Sequence, residues 1–210
     1  ILIDNRLKKI DLKHTTTNSL NSQDLKELEI LKKWVARQYD LEKDNTKKGD
    51  LVLILLNLYL ETKDYEKVHL LSVKALKDQN SKTIIYSANT ISKIQNYHFD
   101  AVSILYEGDQ KKWKDIYVDL LVSKLKDRSK VEKGSSPKNI DSVRNSLKSK
   151  LLSIYVQDEK WQDGINLLQE TKLTDMTSEE LEKISFLFFK LEDCDKIQDL
   201  KKLTQTKQGK

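Results

Sequence analysis

Few side chains of this chain could carry out acid–base, nucleophilic or metal chemistry, and their spacing does not bring them into a familiar site. The histidines lack the spacing of metal ligands, and they are His14, His69 and His98. Cys194 is the only cysteine, and its acidic neighbours oppose formation of the thiolate. Adjacent carboxylates at Glu179 and Glu180 are typical of a helix start. No glycine-rich phosphate loop or nucleophile elbow occurs, so we expect no enzyme activity, no cofactor and no metal.

Basic chemistry is concentrated in one segment, from Lys124 to Lys150. Nine basic and three acidic residues give this segment a charge of +6, while the whole chain carries +5. The basic residues are Lys124, Lys126, Arg128, Lys130, Lys133, Lys138, Arg144, Lys148 and Lys150. Three interpretations stay open: a solvated surface, a site for an acidic segment of another protein, and a site for nucleic acid or an anionic membrane. Only four of the chain's 38 basic residues are arginine, the residue of bidentate phosphate recognition, which favours a solvated surface.

The tryptophans could anchor a partner, because this residue is enriched at the energetic centres of interfaces. They are Trp34, Trp113 and Trp161. Each also lies on an apolar face of a predicted helix, where burial in the core explains it equally well. We expect all three to be structural.

The elements that must position these residues are predicted to be helices. Five glycines and one proline are too few for the turns of a β or α/β fold of 210 residues. No apolar stretch is long enough to span a membrane. A single cysteine favours a reducing, cytoplasmic environment. Because the chain begins with Ile1, we expect it to be a processed or truncated piece.

Helix boundaries follow from capping residues. A first helix is expected from Asn21 or Ser22, with Leu25, Leu28, Leu31, Trp34 and Val35 on its apolar face, and a second from Asp50. Further helices are expected over Thr83 to Gln95 and Phe99 to Tyr106. Gly108 is predicted to end a helix, Asp109 to cap the next, and Pro137 to open another. The predicted organisation is an irregular segment (1–20), a helical half (21–128), a basic loop (129–138), a second helical half (139–203) and a tail (204–210).

One pattern occurs twice, 96 residues apart. Leu55-Leu56-Asn57-Leu58-Tyr59 is followed by Tyr65, Val68 and Leu71, and Leu151-Leu152-Ser153-Ile154-Tyr155 is followed at the same offsets by Trp161, Gly164 and Leu167. Self-similarity at fixed spacing indicates a stacked-repeat architecture.

The spacing within each unit resembles the tetratricopeptide repeat. A weaker unit is predicted 34 residues after the first, which is the period of that family. The positions that carry the resemblance are Tyr59, Tyr65, Val68, Phe99, Val102, Tyr155, Trp161 and Gly164. The resemblance implies an all-α, right-handed solenoid of antiparallel helical hairpins.

Such a scaffold offers surface rather than a catalytic cleft. We expect a non-catalytic scaffold or adaptor subunit of a multiprotein complex that binds a peptide or helix of another subunit. The residues predicted to line its groove are Leu53, Asn57 and Leu60. The alternative is an RNA-associated helical-repeat protein that uses the basic segment.

Overall fold

The structure is a computed structural model that describes residues 22–126, 137–169, 178–193 and 195–198. The helices are α1 (Ser22–Leu41), α2 (Asn45–Glu61), α3 (Tyr65–Asn80), α4 (Ala88–Gly108), α5 (Gln110–Lys126), α6 (Pro137–Gln157), α7 (Trp161–Gln169) and α8 (Ser178–Lys190). No strand occurs within these ranges, so the predicted all-α class is confirmed. None of the described helices is both long and apolar enough to span a bilayer.

The chain forms two compact units, one ending at Tyr117 and the other beginning at Val118. In the first unit, α1 packs on α2, α2 packs on α3 and α4, and α3 packs most extensively on α4. In the second, α6 packs on α7 and α7 on α8. The division falls inside α5. The predicted loop at 129–138 lies mostly outside the described residues, as do the predicted irregular segment and tail.

Two adjoining apolar clusters form the core of the first unit. One joins Val35 and Leu58 between α1 and α2, and the other joins Leu56, Val68 and Ile94 across α2, α3 and α4. In the second unit, a single cluster is formed by α6, α7 and α8; its buried members are Leu152, Ile165, Leu168, Leu181, Ile184, Leu187 and Phe188. Burial of these apolar side chains is the main force that holds each unit together.

The prediction that α2 begins at Asp50 is wrong. The helix begins at Asn45, and its cap is Asp44, whose side chain accepts a hydrogen bond from the backbone N–H of Lys47 at 2.9 Å. Glycine usually marks a helix end, and Gly49 directly precedes Asp50. Here it lies buried inside the helix, where an added Cβ would lie 3.4 Å from Thr90 Cγ2 of α4, an ordinary van der Waals distance.

Two helices predicted over Thr83 to Gln95 and Phe99 to Tyr106 are one helix, α4, which begins only at Ala88 after the cap Ser87. Its buried positions Ile94, His98 and Ala101 follow helical spacing without interruption. The weaker repeat unit required a turn directly before Phe99. Because that position is helical, this part of the 34-residue alignment, including Val102, is wrong. The predicted stop at Gly108, cap at Asp109 and start at Pro137 are confirmed.

Four helices end in the same turn, the Schellman motif. After α2, the backbone N–H of Lys63 donates to the Leu60 carbonyl and that of Asp64 to the Tyr59 carbonyl, both at 2.8 Å. Equivalent bonds close α3, α6 and α8. The left-handed position of each turn holds a non-glycine residue with φ between 56° and 58°; these residues are Lys63, Lys82, Glu159 and Glu192.

The turns after α2 and α6 lie 96 residues apart, and so do the starts of α3 and α7 at Tyr65 and Trp161. The pattern of buried side chains also repeats after 96 residues. Leu55, Leu56, Leu58 and Val68 are buried, as are their counterparts Leu151, Leu152, Ile154 and Gly164, while Tyr59, Tyr65, Tyr155 and Trp161 are half-buried. The repeated sequence therefore adopts the same local structure in both units.

Glycine at a left-handed turn position should stabilise the first unit. Lys63→Gly is expected to raise the free energy of unfolding by about 0.5–1 kcal/mol, because only glycine adopts positive φ without steric cost. The matched control is Lys33→Gly inside α1, which should lower the free energy of unfolding by about 1 kcal/mol. Urea denaturation measures both values, and the same sign for the two variants would contradict the assignment of this turn.

Small residues line the side of α3 that α4 covers. Val68, Ser72 and Ala75 are fully buried at helical spacing, which brings the two helices close together. The Ser72 hydroxyl is buried and has no hydrogen-bond partner among the described residues. Such an unpaired polar group lowers stability.

Ser72→Ala is therefore expected to raise the free energy of unfolding by about 1 kcal/mol, because it removes this unpaired hydroxyl. Ser185→Ala serves as the control, since the Ser185 hydroxyl donates to the Leu181 carbonyl at 2.7 Å and its removal brings no such gain. Thermal melts of the two variants measure the difference, and a destabilised Ser72→Ala protein would contradict the prediction.

Candidate functional site

The predicted groove residues lie on α2. Leu53, Asn57 and Leu60 share one face of the helix at helical spacing, and each is half-buried. Leu53 and Leu60 pack against the apolar cluster that joins α2, α3 and α4. They therefore contribute to the core as well as to the surface, and their contact with a partner stays a prediction.

The helix α1 carries apolar side chains on a buried inner face and on a second, exposed face. Its inner face packs on α2 through Leu28, Leu31 and Val35, all buried. The outer face carries Ile30, which is 65% exposed, and Leu41, which is 64% exposed. Trp34 lies between them and is 46% exposed, so its predicted place in the core is wrong, and the same holds for Leu25. Positions 30, 34 and 41 fall within a narrow arc of a helix with 3.6 residues per turn.

Three exposed cations flank the outer apolar residues of α1. Lys26, Lys33 and Arg37 lie along one side of the stripe that Ile30, Trp34 and Leu41 form. Among the described residues, none of the three makes an ion pair. Two carboxylates of the same helix are already engaged, since Glu29 pairs with the buried Lys32 and Asp40 lies 3.9 Å from Lys74. The surface defined by these six residues, which we call the α1 outer face, is therefore apolar with a basic edge.

The other two tryptophans belong to the cores of their units. Trp113 is buried in α5. Trp161 is half-buried at the start of α7, where its ring meets Phe186 edge-on at 6.1 Å and the Lys190 ammonium lies 5.8 Å from its centre. On α8, Phe186 and Phe189 are exposed.

The residues of the predicted basic segment lie partly on α5, partly on α6 and partly outside the described residues. Lys124 and Lys126 lie in the last turn of α5, where the helix dipole favours positive charge, and Arg144 and Lys150 lie on α6. Lys148 is buried. Arg128, Lys130 and Lys133 lie outside the described residues, as does the side chain of Lys138. Binding by this segment stays a prediction.

Two histidines that the sequence placed apart meet between α3 and α4. His69 Nδ1 and His98 Nε2 are joined by a hydrogen bond of 2.9 Å, in which either nitrogen can donate. The Trp113 ring packs edge-on against His69 at 5.1 Å. One turn before His69, Glu66 pairs with Lys112 of α5 at 2.6 Å. This histidine cluster therefore ties three helices together.

Both imidazoles of the cluster are held in the neutral form. Burial lowers the pKa of His98 to about 4, and the neighbouring His69 adds to this shift. Burial also lowers the pKa of His69, against the opposing effect of Glu66. Near neutral pH the pair therefore shares a hydrogen bond without charge, which suits a packed helix interface. His14 and Cys194 lie outside the described residues.

Within the described ranges, no group of three or more His, Cys, Asp or Glu side chains could hold a metal ion. Two features were not predicted from the sequence, the α1 outer face and the histidine cluster. A helical wheel of residues 22–41 indicates the first, because Ile30, Trp34 and Leu41 fall within one narrow arc that does not include Leu28 and Val35. Nothing in the local sequence signals the second, since the two histidines lie 29 residues apart.

Comparison with known proteins finds no matching protein family, no similar curated protein and no similar solved structure.

Proposed function

We propose that this chain is a non-catalytic scaffold or adaptor subunit that binds other proteins through the surface of its repeated helix pairs and of α1, the helix that precedes them. The observation that carries the proposal is the α1 outer face. Three large apolar side chains are exposed there on a helix that already buries another apolar face. Exposed apolar residues in such a group are typical of protein-interaction surfaces.

The repeat supports a scaffold role, and the helix boundaries suggest a longer unit than the 34 residues of the tetratricopeptide repeat. Trp113 lies 48 residues after Tyr65 and 48 before Trp161. Each of these aromatic residues lies in the first turn of the second helix of a pair, in α3, α5 and α7. Each is preceded by a Leu-Tyr or Ile-Tyr step near the end of the first helix. We propose three such pairs, arranged as antiparallel hairpins of a right-handed, tetratricopeptide-like solenoid.

A solenoid of this kind binds partners along an extended surface, since each repeat contacts only its neighbours and leaves its outer positions accessible. The proposed partner is a peptide or helix of another subunit in a multiprotein complex. Leu53, Asn57 and Leu60 of α2 are the proposed groove residues, half-buried and partly accessible as a binding surface requires.

The proposal is tested by purifying the tagged chain under native conditions, cross-linking it and identifying the cross-linked peptides by mass spectrometry. We expect a protein partner whose cross-links fall on the described helices and whose association survives nuclease treatment. Association that is lost on nuclease treatment and falls steeply with salt would instead favour the RNA-associated alternative. A chain that elutes alone, without cross-links to any protein, would contradict the proposal.

A further inference from the structure

The α1 outer face has the dimensions of a helix-docking surface. From Ile30 to Leu41 the stripe runs along three turns of α1, a length of about 16 Å. Amphipathic helices dock through apolar side chains spaced three or four residues apart. A partner helix of three to four turns would cover the stripe and place its own apolar side chains against Ile30, Trp34 and Leu41.

The charges beside the stripe restrict the partner. Lys26, Lys33 and Arg37 are exposed and make no ion pair among the described residues. Glu27 is the one carboxylate beside the stripe that is not engaged by a cation within the described part of the chain, and it accepts a hydrogen bond from Gln23 at 3.4 Å. The edge therefore carries a net positive charge, which complements carboxylates and repels cations.

We propose that the α1 outer face binds an amphipathic helix of another protein whose apolar stripe is bordered by Asp or Glu side chains. This inference rests on the proposed scaffold function and names the chemistry of its partner. Trp34 is the central anchor because it is large, rigid and half-exposed at the middle of the stripe. An anionic membrane is the less favoured occupant, since three apolar side chains offer little area for insertion into lipid.

The test uses the full chain and two synthetic helical peptides of about sixteen residues, long enough to span the stripe. Both carry the same leucine stripe, bordered by Glu in one peptide and by Lys in the other. Fluorescence anisotropy of the labelled peptides should show clear preference for the Glu-bordered peptide. Trp34→Ala should weaken its binding by at least about tenfold, as expected for an interface anchor.

A charge exchange makes the test specific. Lys33→Glu combined with Arg37→Glu should weaken binding of the Glu-bordered peptide and strengthen binding of the Lys-bordered one. The matched control is Leu70→Ala, because Leu70 is a 63% exposed leucine on α3, outside the α1 outer face. This control should leave both affinities unchanged.

Three results with the peptides would overturn the inference: no binding of the Glu-bordered peptide, equal affinity for the two peptides, or an equal loss in Leu70→Ala and Trp34→Ala. Binding of the chain to anionic vesicles that is lost in Trp34→Ala would overturn it in favour of a membrane. The cross-linked native complex distinguishes a failure of the docking inference from a failure of the scaffold proposal. If the native chain forms that complex but does not bind the Glu-bordered peptide, the docking inference is wrong and the scaffold function stands.

Discussion

Leu187→Ala is expected to lower the free energy of unfolding of the second unit by about 3–5 kcal/mol, which is the largest effect we predict for a single substitution. Leu187 is fully buried in α8 and belongs to the cluster that joins α6, α7 and α8. Its loss leaves a cavity where three helices meet. Chemical denaturation followed by circular dichroism measures the change.

Leu187 also lies against Gly164 of α7, so we expect the stability effects of substitutions at these two positions to depend on each other. A Cβ added to Gly164 would lie 3.1 Å from Leu187 Cδ1 and 3.3 Å from Leu152 Cδ1, closer than side chains normally pack. Gly164→Ala alone should therefore cost about 1–3 kcal/mol through overpacking, and the higher helix propensity of alanine offsets about 1 kcal/mol of that cost. In the double variant the new methyl group fills part of the cavity, so the combined loss should be smaller than the sum.

The control for this coupling is Leu187→Ala combined with Leu28→Ala, which lies in the other unit. Those two losses should add, since the residues share no contact partner among the clusters. Additive losses for Gly164→Ala and Leu187→Ala would mean that α7 and α8 do not meet at Gly164.

Acidification is expected to destabilise the first unit through His98. The pKa of this imidazole is about 4 in the folded chain, against an ordinary value near 6.5, because burial opposes its charge. Between these values the unfolded state binds more protons, so stability falls as the pH drops from about 6.5 to about 4. Since each pH unit changes the free energy of unfolding by about 1.4 kcal/mol, the loss of stability reaches about 3 kcal/mol near pH 4.

The measurement compares urea denaturation of the native chain and of His98→Gln at several pH values. Carboxylates also bind protons in acid, so the difference between the two proteins isolates His98. We expect the difference in free energy of unfolding between the native chain and His98→Gln to narrow as the pH falls. The native chain loses the stability linked to His98, while the glutamine side chain of the variant binds no proton. Parallel pH profiles would show that His98 is accessible to protonation in the folded chain.

Much of the architecture could be predicted from the sequence, because the apolar residues of α5 to α8 keep one helical spacing and strong caps mark the boundaries. The start of α6 at Pro137 and the stop at Gly108 follow from the fixed φ of proline and the missing side chain of glycine. Gly49 broke the same rule. It lies within α2, buried beside α4, and local sequence does not reveal such tertiary contacts.

The largest error is the prediction of α4 as two helices, since the weaker repeat unit requires a turn directly before Phe99. His98 lies at that point and is buried within the continuous helix. The position is compatible with burial only because His69 supplies a hydrogen bond from a neighbouring helix. The sequence points away from the candidate site for the opposite reason: large apolar residues are usually buried, whereas Trp34 is 46% exposed on a helix that packs on α2 with its inner face.

The order in which the helices pack has a consequence for folding. The pairs that pack most extensively join helices that are neighbours, or next neighbours, along the chain: α1 with α2, α2 with α3 and α4, α3 with α4, α6 with α7, and α7 with α8. Contacts between residues close in sequence need only short loops to close, so each unit should fold rapidly. The same locality lets segments open separately, and amide hydrogen exchange should therefore report different opening free energies for the two units. A ligand held by α1 would then slow exchange mainly in α1 and α2, and leave exchange in α7 and α8 nearly unchanged.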